Sequence, residues 1–279
     1  MGKDGDDPHS AGRGERGSPG RRSARSVEVA RREELKGKEA RFGVTHPRGK
    51  QERQETIKPV WAGILAFMLA GPAGAQTHIS FPTPDGGLIY ADYYGKGDRG
   101  VVLAHGGRFN KESWGKQALL LAGAGVRVLA IAFRGEGQSR GGMQGRPPDE
   151  GRQFDVLAAI HYLRETGAKS VSVVGASMGG DYAAEAAEAE PAQIDRLVLL
   201  GSGAYTPLVK MKGRKLFVLA RDDANADGPR LPRIREQYEK ASEPKEMVIL
   251  EGSAHAQFIF QTDEGNRLMS EILRFLSEP

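Results

Sequence analysis

The segment that most narrows the folds open to this chain is the apolar run Val171, Val173, Val174, then Gly175-Ala176-Ser177-Met178-Gly179, then the alanine-rich stretch Asp181 to Glu190. A strand that turns directly into a helix is half of a βαβ unit, and here a serine stands at the tip of the turn. Glycines two residues before and two after that serine let the backbone bend through angles that side chains disfavour. The bend lifts the hydroxyl clear of the sheet and aims the next N–H at whatever group approaches it. Glycine is 38 of the 279 residues, so a Gly-x-Ser-x-Gly pentapeptide is weak by itself and the surrounding pattern has to carry the argument.

That pattern is an alternation of strand-like and helix-like segments from His78 to Pro279. Ile79 to Phe81 and Leu88 to Tyr94, separated by two prolines and a Gly-Gly pair, read as an antiparallel hairpin. Val101 to Ala104, Val126 to Phe133, Leu197 to Leu200, Leu216 to Ala220 and Met247 to Leu250 are apolar runs of strand length. Helices are predicted over Ser113 to Ala122, Asp149 to Thr166, Asp181 to Glu190, Ile234 to Ala241 and Asn266 to Leu276, the last with Leu268, Ile272, Phe275 and Leu276 on one face. Continuous apolar strands alternating with helices imply an α/β fold, a mostly parallel, doubly wound sheet with helices on both faces. No repeat period appears.

The N-terminal part is different material. Residues 1–58 carry 15 Lys and Arg against 10 Asp and Glu, whereas the remainder carries 25 against 26, so the basic charge belongs to this extension. It has few large apolar residues and no sustained hydrophobic period, and is expected to be disordered or an extension from a mis-assigned start. An arginine-rich tail that binds nucleic acid or anionic lipid is the less favoured alternative. Lys58, the apolar run Val60 to Ala70, the Gly71-Pro72 break and Ala73-Gly74-Ala75 then follow in the order of an export signal, with a buried core helix as the alternative. About 20 apolar residues are needed to span a bilayer, so no stable membrane span is expected. Residues 59–75 thus read as a signal-like segment and residues 76–279 as an exported domain, periplasmic or secreted. Cysteine is absent, which removes disulfides and thiol nucleophiles.

Three motifs together resemble the α/β-hydrolases: Gly175 to Gly179, His105-Gly106-Gly107 after the third strand, and Arg134-Gly135-Glu136-Gly137-Gln138-Ser139 after the fourth. The resemblance covers essentially all of residues 76–279 and implies a catalytic triad. Ser177 takes the place of the nucleophile. His255, in Gly252-Ser253-Ala254-His255 after the last strand, takes that of the base, because the other five histidines fall in the tail, on the first strand, in the glycine loop or on a helix. The acid is Asp223 or Asp222, with Asp223 favoured by a Gly-x-x-Asp pattern in which Ala220 replaces the glycine. The resemblance further implies an oxyanion hole from Met178 and Gly107. Arg108 is a candidate for an anionic substrate group, and Phe109 and Trp114 are either core or pocket lining.

Only 45 residues separate Ser177 from Asp223, which leaves no room for a cap domain. The chain is therefore similar to the lidless serine esterase and dienelactone hydrolase-like branch, which implies a small acyl substrate and no metal or organic cofactor. Lactone, amide or perhydrolytic chemistry on the same residues remains an alternative, as does a non-catalytic binding protein on the same scaffold. Oligomeric state and substrate identity are not legible.

Overall fold

The computed structural model describes residues 76–142, 147 and 150–278. The basic extension and the signal-like segment lie outside the described residues. The strands are β1 (Thr77–Pro82), β2 (Leu88–Tyr94), β3 (Arg99–Ala104), β4 (Arg127–Ile131), β5 (Ser170–Ala176), β6 (Arg196–Leu200) and β7 (Arg214–Ala220). A small ribbon, β8 (Ala224–Asn225) with β9 (Gly228–Pro229), precedes β10 (Lys245–Leu250). Five helices accompany them: α1 (Gly115–Gly123), α2 (Arg152–Glu165), α3 (Met178–Ala189), α4 (Arg230–Lys240) and α5 (Gly265–Ser277).

Eight strands form one sheet in the order β1-β2-β4-β3-β5-β6-β7-β10. β1 and β2 pair antiparallel, as does β2 with β4, and every other neighbour is parallel. Successive side chains of a strand point to opposite faces, so a strand covered on both sides must be apolar throughout. β6 illustrates this: Leu197 and Leu199 join the core beneath α2, α3 and α4, while Val198 and Leu200 join the core beneath α1 and α5. The expected doubly wound α/β sheet is therefore the observed one. Residues 201–213, between β6 and β7, contain neither helix nor strand, and no cap domain covers the strand ends there. No helix among the described residues is long and apolar enough to cross a membrane.

Helix starts differ from the sequence reading: α1 begins at Gly115 rather than Ser113, α2 at Arg152 rather than Asp149, and two others as follows. α3 begins at Met178, directly after the turn, rather than at Asp181. α4 begins at Arg230 and accommodates Pro232 in its first turn, where a missing N–H breaks no helical bond.

Candidate active site

β5 lies between β3 and β6 and is buried along Val171 to Ala176, so its C-terminal end is fixed from both sides. Ser177 follows it at φ 48°, ψ −119°, a left-handed φ that a side chain rarely adopts. Its N–H donates to the Leu200 carbonyl (2.8 Å), and its own carbonyl accepts from Gly180 N–H (2.8 Å) and Asp181 N–H (3.1 Å). The flanking glycines are steric necessities. A β-carbon on Gly175 would stand 2.6 Å from the Gly179 oxygen, and one on Gly179 would stand 2.3 Å from the Ala104 oxygen. Strand β3 and the start of α3 thus approach each other closer than any alanine permits.

Ser177 Oγ lies 2.8 Å from His255 Nε2, and His255 Nδ1 lies 2.7 Å from Asp223 Oδ2. Asp223 is fully buried. An ionised carboxylate only accepts, so Nδ1 carries the imidazole proton and Nε2 presents a lone pair to the serine hydroxyl. The loops that supply these two side chains are tied together: Arg221 N–H donates to the Leu250 carbonyl (2.8 Å) and Asp222 N–H to the Gly252 carbonyl (2.9 Å). Of the acidic pair, Asp223 meets the histidine, while Asp222 is exposed. On its far side Asp223 Oδ1 faces Arg230 Nε at 3.2 Å, an ion-pair distance without hydrogen-bond alignment.

Met178 opens α3, so its N–H has no intrahelical acceptor. Opposite stands Gly107, where an added β-carbon would lie 3.6 Å from Met178 Sδ. No bond from the Gly107 N–H is present among the described residues. The N–H groups of Met178 and Gly107 thus both stand without a hydrogen-bond acceptor among the described residues.

Beside Ser177 opens a cavity of about 360 Å³ whose lining includes Met178, Asp181, Tyr182, Tyr205, Arg230 and Arg233. Burial raises the carboxyl of Asp181, against the opposing hydrogen bond from Ser202 and the charges of Arg233, Arg230 and His255. Burial likewise raises Glu185, one turn on, and the charge of Asp181 adds to it.

Arg108 is outside this lining: it is exposed, with its guanidinium 5.6 Å from the ring centroid of Phe258. Phe109 packs at a tilt against the same Phe258, ring centroids 4.7 Å apart, and Trp114 is buried core against Phe260. His161, on α2, pairs with Glu190. Among the described residues no cluster of three His, Cys, Asp or Glu side chains is arranged for a metal ion.

Residues 100–269 match the family model described as the alpha/beta hydrolase fold. The chain belongs to the alpha/beta hydrolase fold family. Among solved structures it is similar to an esterase from Exiguobacterium antarcticum (TM-score 0.58, 15% identity, covering 72% of this chain and 100% of that one). It is also similar to an esterase of Pyrococcus furiosus (TM-score 0.59, 18% identity, 74% and 94%). A predicted CIB-like hydrolase from Thermoplasma acidophilum is another (TM-score 0.58, 22% identity, 72% and 99%). In sequence, a stretch of 93 residues is 38% identical to a putative non-heme chloroperoxidase of Synechocystis sp.. That stretch is 33% of this chain and spans only 31% of the relative's length. The chain is an α/β-hydrolase-fold enzyme, with its loops arranged at the C-terminal ends of the parallel strands as ligand sites in open α/β sheets are.

Sequence reasoning missed Arg230, Arg233 and the Asp181–Glu185 pair, all of which line the cavity. It also missed Gln257, whose only signal was its place two residues after His255.

Proposed function

We propose that this hydrolase-fold enzyme cleaves small carboxylic esters or thioesters through an acyl-serine intermediate. The observation that carries the reading is the unbroken path from the Ser177 hydroxyl through His255 to Asp223, drawn from loops after three different strands. His255 Nε2 takes the Ser177 proton as Oγ attacks the carbonyl carbon, and Asp223 stabilises the imidazolium that forms. The N–H groups of Met178 and Gly107 receive the oxyanion, each donor contributing about 10²–10³-fold to turnover. The imidazolium returns its proton to the leaving alcohol or thiol, which departs with the bonding electron pair. His255 then deprotonates a water that releases the acid and restores Ser177.

The polar cavity next to Ser177 supports a small acyl group, and the lack of helix or strand in residues 201–213 supports open access to it. Arg108, exposed on the Phe258 side, is proposed as a contact for an anionic group lying outside that cavity. The test is hydrolysis of p-nitrophenyl butyrate: turnover by the native protein and its loss in Ser177→Ala support the reading, whereas unchanged turnover in Ser177→Ala refutes it.

A second reading, in which hydrogen peroxide rather than water accepts the acyl group, is favoured by the likeness to a protein named as a putative non-heme chloroperoxidase. Acetate-dependent bromination of monochlorodimedone in the presence of peroxide distinguishes it. Export is proposed on the order of residues 58–75 alone, and N-terminal sequencing of secreted protein beginning near Gln76 tests it.

A further inference from the structure

Gln257 is 3% exposed and touches neither Ser177 nor Asp223 by any hydrogen bond, yet both ends of its amide are occupied. Its Oε1 accepts from the Gly106 N–H (2.8 Å), and its Nε2 donates to Ser113 Oγ (3.0 Å). It stands in the 3-10 turn Ala256–Gln261 that begins directly after His255. One side chain therefore joins the base-bearing loop to the glycine loop after β3 and to the turn that leads into α1.

The consequence lies in the peptide that follows. The Gly106 carbonyl accepts from Phe109 N–H (2.9 Å) and lies 2.9 Å from His105 Nδ1, which must be protonated to meet a carbonyl. That carbonyl and the Gly107 N–H belong to the same planar trans peptide and point in opposite directions, so fixing one aims the other. Gln257 holds the peptide before it, and His105 with Phe109 holds this one. With the Gly106 N–H spent on Gln257, the Gly107 N–H is the donor of this pair left without an acceptor among the described residues.

We propose that Gln257 is a positioning residue: it sets the oxyanion donor Gly107 against the nucleophile and locks that donor to the loop carrying His255. The proposal rests on the acyl-serine reading above. Donors that are already aimed act in the transition state, where the carbonyl oxygen gains charge, far more than in the substrate complex. Losing Gln257 should therefore lower kcat and spare KM.

The experiment compares the native chain with Gln257→Met, which keeps the volume and loses both hydrogen bonds, and with Gln257→Glu, which keeps an acceptor for the Gly106 N–H. With p-nitrophenyl butyrate, Gln257→Met is expected to lose about tenfold or more in kcat with KM held within about twofold. The inhibition constant of phenylboronic acid, whose serine adduct is tetrahedral and anionic, should rise by the same factor as kcat/KM falls. Gln257→Glu should recover part of the loss.

Gln257→Met with native kcat and native phenylboronic acid affinity would overturn the proposal, as would a rise in KM at unchanged kcat. Should Gln257→Met fail to fold, Ser113→Ala decides. It removes the acceptor for Nε2 together with the Oγ donor to the Asn110 carbonyl, and a smaller loss of kcat with weaker boronic acid binding is expected, while native values of both overturn the idea. Failure of the underlying reading looks different: the native chain itself would then lack Ser177-dependent turnover.

Discussion

Replacing Gly179 by alanine tests whether close contact between β3 and the start of α3 holds the site together. The new methyl carbon would stand 2.3 Å from the Ala104 oxygen and 2.6 Å from the His105 oxygen, both of them backbone atoms that cannot swing aside. Ordinary carbon–oxygen contact needs about 3.3 Å, so the elbow and β3 must separate by roughly 1 Å. Overpacking of this kind costs about 1–3 kcal/mol, which in a domain of this size lowers the melting temperature by about 2–12 °C. The same displacement moves the Met178 N–H away from Gly107, and a misplacement near 1 Å can cost about 10²-fold in rate. Thermal unfolding followed by circular dichroism reads the first effect and p-nitrophenyl butyrate kinetics the second. Gly123→Ala, at a position where an added β-carbon meets nothing within 4 Å, is the control and should keep native stability and turnover. If Gly179→Ala matched the native protein in both melting temperature and kcat/KM, the steric account of the elbow would be wrong.

Other outcomes follow from the same geometry. Asp223→Asn should lower kcat by about 10⁴-fold by favouring the wrong histidine tautomer, whereas Asp222→Asn, at the exposed neighbour, should change it little; equal losses in the two variants would contradict the assignment. Asp181 has its carboxyl raised by burial, so the folded state holds its proton more tightly than the unfolded state and a cost in stability builds as pH rises above the ordinary aspartate value, complete once pH exceeds the folded value. Asp181→Asn should therefore melt higher than the native chain at pH 7, with the gap closing as pH falls below the ordinary aspartate range; a gap that widened on acidification would reverse the sign of the argument. Asp85 behaves oppositely, because the Arg134 guanidinium beside it holds its carboxyl below the ordinary value. Its contribution is present above the ordinary aspartate range and lost as pH falls through the folded value, so Asp85→Asn should destabilise the chain at pH 7 and matter little once pH is below that folded value.

The sheet was legible in the sequence because the inner parallel strands β3 to β7 are buried on both faces and so read as apolar runs, whereas the edge strand β10 is only half-buried. The helix starts were less so. Gly179 and Gly180 are poor helix formers, which hid the first turn of α3, yet the close approach to Ala104 requires glycine there. The helix expected from Ile234 begins at Arg230, with Pro232 in its first turn. That shift brings Arg230 to Asp223 and Arg233 into the cavity, neither of which a motif could report. That Ser177, His255 and Asp223 would meet was expected from the sequence because each sits at a strand end within a short local pattern. Gln257 was not, because its importance lies in a contact with Gly106 across 151 residues of chain.

The most direct measurement is peptide mapping by mass spectrometry after treatment with a fluorophosphonate, which reacts with a serine oxygen only when a neighbouring base removes its proton. The account predicts a single stoichiometric adduct on Ser177, formed at least 10³-fold more slowly in His255→Gln, since His255 is the base within reach of that hydroxyl. An unlabelled Ser177 in folded native protein, or labelling at Ser177 that is indifferent to the loss of His255, would contradict it.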